Sequence, residues 1–195
     1  MWIVQFDEVF VGTTIPLNRT VLPPDSPDSF DPRISDSYLL LRLHPEPLGA
    51  TVSDADIRGI PRPAGLPVLF VHGHRGSAGQ INSLAAHAET KYREALLGPN
   101  SPPPRPLEFY AVDLREGSSA FHAGVLRAQA AFVADAAREV ARRHGLGPED
   151  ARATPATGAS FLVLLAHSMG GIAARLAMIL RDFPRSSVVR LGLSL

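Results

Sequence analysis

From residue 66 onward, short apolar runs alternate with longer stretches in which apolar positions recur every three or four residues. The runs at 66–71, 108–113, 161–166 and 187–193 have the length of strands buried on both faces of a parallel sheet. After the first of them, Ser77 and Gln80 form a capping-box pattern that opens a helix through about Leu97, where Gly98-Pro99 stops it. Segment 121–144 places Val125, Phe132, Val133, Ala136 and Val140 at helical spacing and ends at Gly145. A third helix is predicted over 171–180, with Pro184 beyond it. Upstream, 37–43 reads as one more strand, closed by Pro45 and Pro47. Such alternation predicts an α/β fold: a mainly parallel sheet with helices on both faces. Residues 1–35 hold Pro23, Pro24, Asp25, Pro27, Asp28 and Pro32 and read as a loop-rich, poorly ordered lead-in to a folded part over 36–195.

Composition narrows the function. The 195 residues suit one domain, and a hydrophobic share of 45% supplies a substantial core. Lys plus Arg equals Asp plus Glu at 19 each, so no net field draws the chain to a polyanion, and no nucleic-acid partner is expected. With no cysteine there is no disulfide, thiolate zinc site or cysteine nucleophile. No His or carboxylate pair has metal-ligand spacing, so neither metal nor cofactor is expected. No apolar run approaches the roughly 18 to 20 residues that cross a bilayer. The start carries Asp7 and Glu8 and no basic region, unlike a signal peptide, and the chain by itself reads as soluble. Asn18-Arg19-Thr20 matches a glycosylation acceptor, a pattern too short to carry a reading alone.

The chemistry concentrates at Ala166-His167-Ser168-Met169-Gly170-Gly171, where the third buried strand turns through a serine into a helix. This is a nucleophile elbow, with small residues at Ala166 and Gly170 where backbones crowd. The turn lifts the Ser168 Oγ above the sheet, where a base can take its proton. Two backbone N–H groups are expected to form an oxyanion hole: that of Met169, and that of His74 in the loop after the first strand, with Gly73 as the reserve choice. A triad acid and base would follow the serine in chain order, yet after Ser168 there is no histidine and Asp182 is the sole acid. His167 is read as pointing to the opposite face. The rings of His72 and His74 lie where they can touch substrate. His44, His87 and His144 are read as surface or satisfied residues, and His122 with Asp113 as near the cleft without a catalytic role. The sequence therefore reads as an α/β-hydrolase-type domain incomplete at its C-terminus, with acid and base beyond Leu195.

Three blocks together resemble the GPI inositol-deacylase family. They are 65–77 around His72-Gly73-His74-Arg75-Gly76-Ser77, the middle block 109–114 with 119–126 and Gln129, and 166–175 around His167-Ser168-Met169-Gly170-Gly171. Tyr38-Leu39-Leu40-Leu41 also fits. The family loop is Pro-Gly-Asn-x-Gly-Ser, from which this sequence departs with His72 and His74-Arg75. The resemblance covers about residues 35–195. It implies hydrolysis of the acyl ester on the inositol of a GPI anchor, with Ser168 matching the nucleophile. It further implies a GPI-anchored protein or lipid ester as substrate. Family members are multi-pass proteins of the endoplasmic reticulum membrane whose catalytic domain faces the lumen, so membrane association is implied for the whole protein. The elbow alone also suits a general lipase or thioesterase, or a non-catalytic α/β-hydrolase-like binding module.

Overall fold

The computed structural model describes residues 12–15, 38–48, 52–99, 105–115, 122–146, 161–180, 183–184 and 188–193. Among the described residues, six strands form one sheet: β1 (Gly12–Ile15), β2 (Leu39–Leu43), β3 (Leu66–Val71), β4 (Leu107–Asp113), β5 (Leu162–His167) and β6 (Val188–Leu193). Three helices join them: α1 (Asn82–Leu97), α2 (Ala123–Arg143) and α3 (Met169–Ile179). The spatial order is β1-β2-β4-β3-β5-β6. Pairing is antiparallel for β1 with β2 and β2 with β4, and parallel from β4 through β3 and β5 to β6. The mainly parallel sheet expected from the sequence is thus present, in an α/β-hydrolase-type fold.

The parallel strands β3, β4 and β5 alternate strictly between two apolar layers. Val68 and Phe70 of β3, Phe109 and Ala111 of β4, and Val163 and Leu165 of β5 pack with Ile81 and Ala85 on the α1 face. Leu69, Val71, Tyr110, Val112, Leu162 and Leu164 pack on the opposite face with Ala128, Phe132, Val133 and Ala136 of α2 and Ala174 and Ala177 of α3. This is why the strands read as continuous apolar runs: a period of two with both faces buried leaves no polar position. Placing α1 on one face and α2 and α3 on the other follows from direction. The β3-to-β4 crossover runs one way along the sheet and the β4-to-β5 crossover runs back, and both keep the same hand only on opposite faces.

Three local expectations differ. No strand was expected before residue 37, yet Gly12–Ile15 forms β1 by pairing with Leu40–Leu43, a cross-strand partnership that no local pattern reports. The Ser77/Gln80 capping box is not made: Ser77 forms no side-chain cap bond, and Ala78–Ile81 is a 3-10 turn that leads into α1. The segment after β2 is tied to α1 by polar groups that carry no motif. Thr90 Oγ1 accepts the Leu48 N–H at 2.8 Å, and Glu89 receives Arg62 through two bonds of 2.8 Å and Arg93 at 2.9 Å. Burial pushes the Glu89 carboxyl up, and the two guanidiniums more than offset that, leaving it below the usual carboxylate range.

His144, at the end of α2, is buried and bonded through one ring nitrogen, within the reading of it as a surface or satisfied residue. Its Nε2 lies 3.0 Å from Tyr110 Oη, and the two rings meet edge to face. Burial lowers its pKa, with Glu108 opposing and Arg42 assisting. A histidine with a depressed folded-state pKa contributes stability above its unfolded value of about 6.5, and that contribution is lost as pH falls through the lower folded value. The thermal midpoint is therefore expected to drop between pH 7 and pH 5, and to drop less in His144→Phe. Equal slopes for both proteins would show that another group governs the acid response.

Candidate active site

The crossovers out of β3 and out of β5 leave the sheet on opposite faces, so the loops after these two adjacent parallel strands part and open a crevice at their C-terminal ends. Open α/β sheets bind ligands at such a switch point. Register confirms that the ends are level, with Val71 opposite both Val112 of β4 and Ala166 of β5. Ser168 follows β5 directly and Gly73 follows β3 by two residues, so both candidates face this crevice region from neighbouring strands.

Ser168 is exposed and has φ 53° and ψ −127°, a backbone state that L-residues seldom hold. The turn is held from both sides. Gly171 N–H donates to Ser168 O at 2.9 Å, closing the first turn of α3. A Cβ on Gly170 would lie 2.4 Å from both Val71 O and His72 O, so the start of α3 rests directly on the end of β3. The crowding expected at Gly170 is real, and its partner is the neighbouring strand. Ser168 occupies the N-cap position yet makes no side-chain cap bond. Its hydroxyl is therefore not consumed by the helix, as an ordinary N-cap serine's would be. Among the described residues, no side chain hydrogen-bonds to it.

The loop after β3 closes on the serine. A Cβ on Gly73 would sit 2.9 Å from His167 O and from Ser168 Cβ, and 3.3 Å from Ser168 Oγ, so only glycine fits at this contact. Gly76 N–H donates to Gly73 O at 3.1 Å, making 73–76 a tight turn with Arg75 at a left-handed φ of 54°. Of the three residues expected to offer amides, Met169 is the first residue of α3, Gly73 lies against Ser168, and His74, half-buried, enters the turn.

His72 departs from its expected role. Its ring is 1% exposed and does not reach the crevice. Nε2 accepts the Leu114 N–H at 2.9 Å, so Nδ1 carries the proton and donates to Gly73 O at 2.8 Å. The ring thus ties the loop after β3 to the loop after β4, and does so at the residue that touches Ser168. Its place after an apolar strand gave no hint of this, because both partners are backbone atoms and one is 42 residues away.

The remaining candidates separate. Asp113 accepts the Arg115 N–H at 2.9 Å and pairs with the Arg115 guanidinium at 3.5 Å, so its carboxylate is engaged locally. His122 is exposed at the start of α2, His167 is half-buried at the end of β5, and His44 and His87 are exposed away from the crevice. The 18–20 triplet and Asp182 lie outside the described residues.

Comparison with known proteins shows what the chain is similar to. GPI inositol-deacylase of Cryptococcus neoformans is 39% identical over 117 residues, which cover 59% of this chain and 14% of that protein. The Aspergillus oryzae protein of the same name is 34% identical over 127 residues, covering 64% and 12%. The chain thus spans a small part of the length of the curated relatives it matches. The crystal structure of Bacillus licheniformis lipase BlEst2 in its mature form aligns at 20% identity with a TM-score of 0.40, over 70% of this chain and 43% of that one. The sequence pattern of the PGAP1-like alpha/beta domain matches residues 62–192, from the approach to β3 through nearly all of β6. On that match, which takes in the serine turn, the glycine loop and the strands that bring them together, the chain belongs to the PGAP1-like alpha/beta domain family.

Proposed function

We propose that this chain carries the nucleophile of a serine ester hydrolase that removes the acyl group from the inositol of a GPI anchor. Ser168 Oγ attacks the ester carbonyl, and the tetrahedral oxyanion is received by backbone N–H groups of Met169 and of the 73–74 loop. The C–O bond to inositol then breaks, the inositol oxygen takes a proton, and water later releases the acyl group from the serine. The rings of His72 and His144 are bound elsewhere, and this reading assigns activation of the hydroxyl to groups outside the described residues. The substrate is then a GPI-anchored protein or related lipid ester, met at the lumenal face of the endoplasmic reticulum membrane. No helix among the described residues is long and apolar enough to cross a membrane.

The observation that carries this reading is Ser168 itself: an exposed serine on left-handed backbone, with its hydroxyl left free by the helix it precedes. A fluorophosphonate probe tests it. Labelling of the chain is expected to be slow, confined to Ser168 and abolished by Ser168→Ala. Labelling that persists in the alanine variant, or none above it at high probe concentration, would end the proposal.

A further inference from the structure

Three non-glycine residues have positive φ among those described, Arg75, Arg115 and Ser168, and each lies just past the C-terminal end of one of three adjacent parallel strands. For Ser168 the turn explains the conformation. Arg115 is held by Asp113, whose carboxylate takes its N–H and faces its guanidinium. Arg75 has neither explanation.

In the turn 73–76, Arg75 holds the third position, which at positive φ is normally glycine or asparagine. Glycine stands on both sides of it: a Cβ on Gly73 would press on His167 O and Ser168, and one on Gly76 would meet the movable end of the Gln80 side chain at 2.6 Å. The loop therefore places a long cation at the one position where backbone strain disfavours it. Among the described residues Arg75 forms no ion pair, and it is exposed. Two residues of chain, roughly 7 Å at most, separate it from Gly73 and hence from the serine contact. An arginine so placed is suited to bind a phosphate through paired N–H groups.

We propose that Arg75 is a specificity-determining residue that holds the phosphodiester of a lipid substrate beside Ser168. The inference rests on the ester-hydrolase reading, in which the inositol that bears the acyl ester also bears a phosphodiester. One cation at the crevice then orients the ring by a charge that the reaction does not alter.

The test is binding, measured in the Ser168→Ala chain so that turnover plays no part. The probes are glycerophosphoinositol, inorganic phosphate, and phosphatidylcholine vesicles with or without phosphatidylinositol. Arg75→Gln is expected to weaken binding of glycerophosphoinositol and of phosphatidylinositol vesicles about tenfold or more. Arg105→Gln, the same charge change just before the opposite end of β4, should leave both unchanged. Arg75→Gly should lose binding while its thermal midpoint holds or rises, since glycine relieves the turn. Equal loss in the Arg75 and Arg105 variants would reveal only general charge attraction and overturn the proposal. So would a midpoint that falls together with binding in Arg75→Gly, or preference for inorganic phosphate. Binding of the soluble diester without the vesicles would overturn the assignment to a lipid. Failure of the nucleophile reading would appear separately, as absent Ser168-dependent labelling.

Discussion

Gly170→Ala is expected to destabilise the protein by about 2 to 3 kcal/mol and to suppress labelling of Ser168, although alanine is the better helix former. Two effects oppose each other at this position. Helix propensity favours alanine over glycine by about 1 kcal/mol. Against it, the added methyl would lie 2.4 Å from two backbone carbonyl oxygens, below the 3.0 Å that real Cβ atoms essentially never breach. Neither oxygen can swing aside. Val71 O ends β3, which is fixed by parallel pairing with β4 on one side and β5 on the other, and His72 O follows directly, on a residue whose ring is held by two backbone groups. Relief requires the start of α3 to lift from the sheet, which moves Ser168 with it. Gly171→Ala is the matched control: nothing lies within 4 Å of its Cβ position. There the propensity term stands alone, and stability should rise by up to about 1 kcal/mol. Chemical denaturation of both variants decides the matter. If Gly170→Ala proves as stable as the parent, the close seat of α3 on β3 does not exist in solution.

His72→Ala should cost about 3 kcal/mol or more. The buried Leu114 N–H loses its acceptor, a penalty of about 1 to 3 kcal/mol, and removal of the ring leaves a cavity at a site that is 1% exposed. The loss of the bond to Gly73 O frees the loop that touches Ser168, so labelling well below the melting temperature should slow as well. Gln at this position offers a side-chain oxygen to the Leu114 N–H and should recover part of the stability. The two readouts separate roles. A variant that melts early but labels at the parental rate would show that His72 only supports the fold and does not position the serine's surroundings.

Much of this site was legible because its signals are local. The four apolar runs became β3 to β6, since a strand buried on both faces must be apolar throughout. The serine turn was legible for a similar reason: a strand that passes through small residues into a helix leaves its mark within six positions. Other features left no such mark. Crowding at Gly170 was foreseen, but its source in the carbonyls of β3 was not, because those atoms are about 100 residues away in the chain. His72 looked like a residue free to meet substrate and is instead locked between two backbone groups.

By itself, then, the sequence determined the strands and longer helices from residue 37 onward, that the sheet is mainly parallel, and that Ser168 stands at a strand-to-helix turn. Each of these follows from the spacing of apolar and small residues along a few turns or one strand. Only the tertiary structure decided that β1 closes the sheet edge, that Gly73 and not the His72 ring meets the serine, and that Arg75 bears the strained turn. Those facts depend on contacts and backbone angles imposed by neighbours distant in sequence, and a local pattern reports that a residue is buried without saying against what.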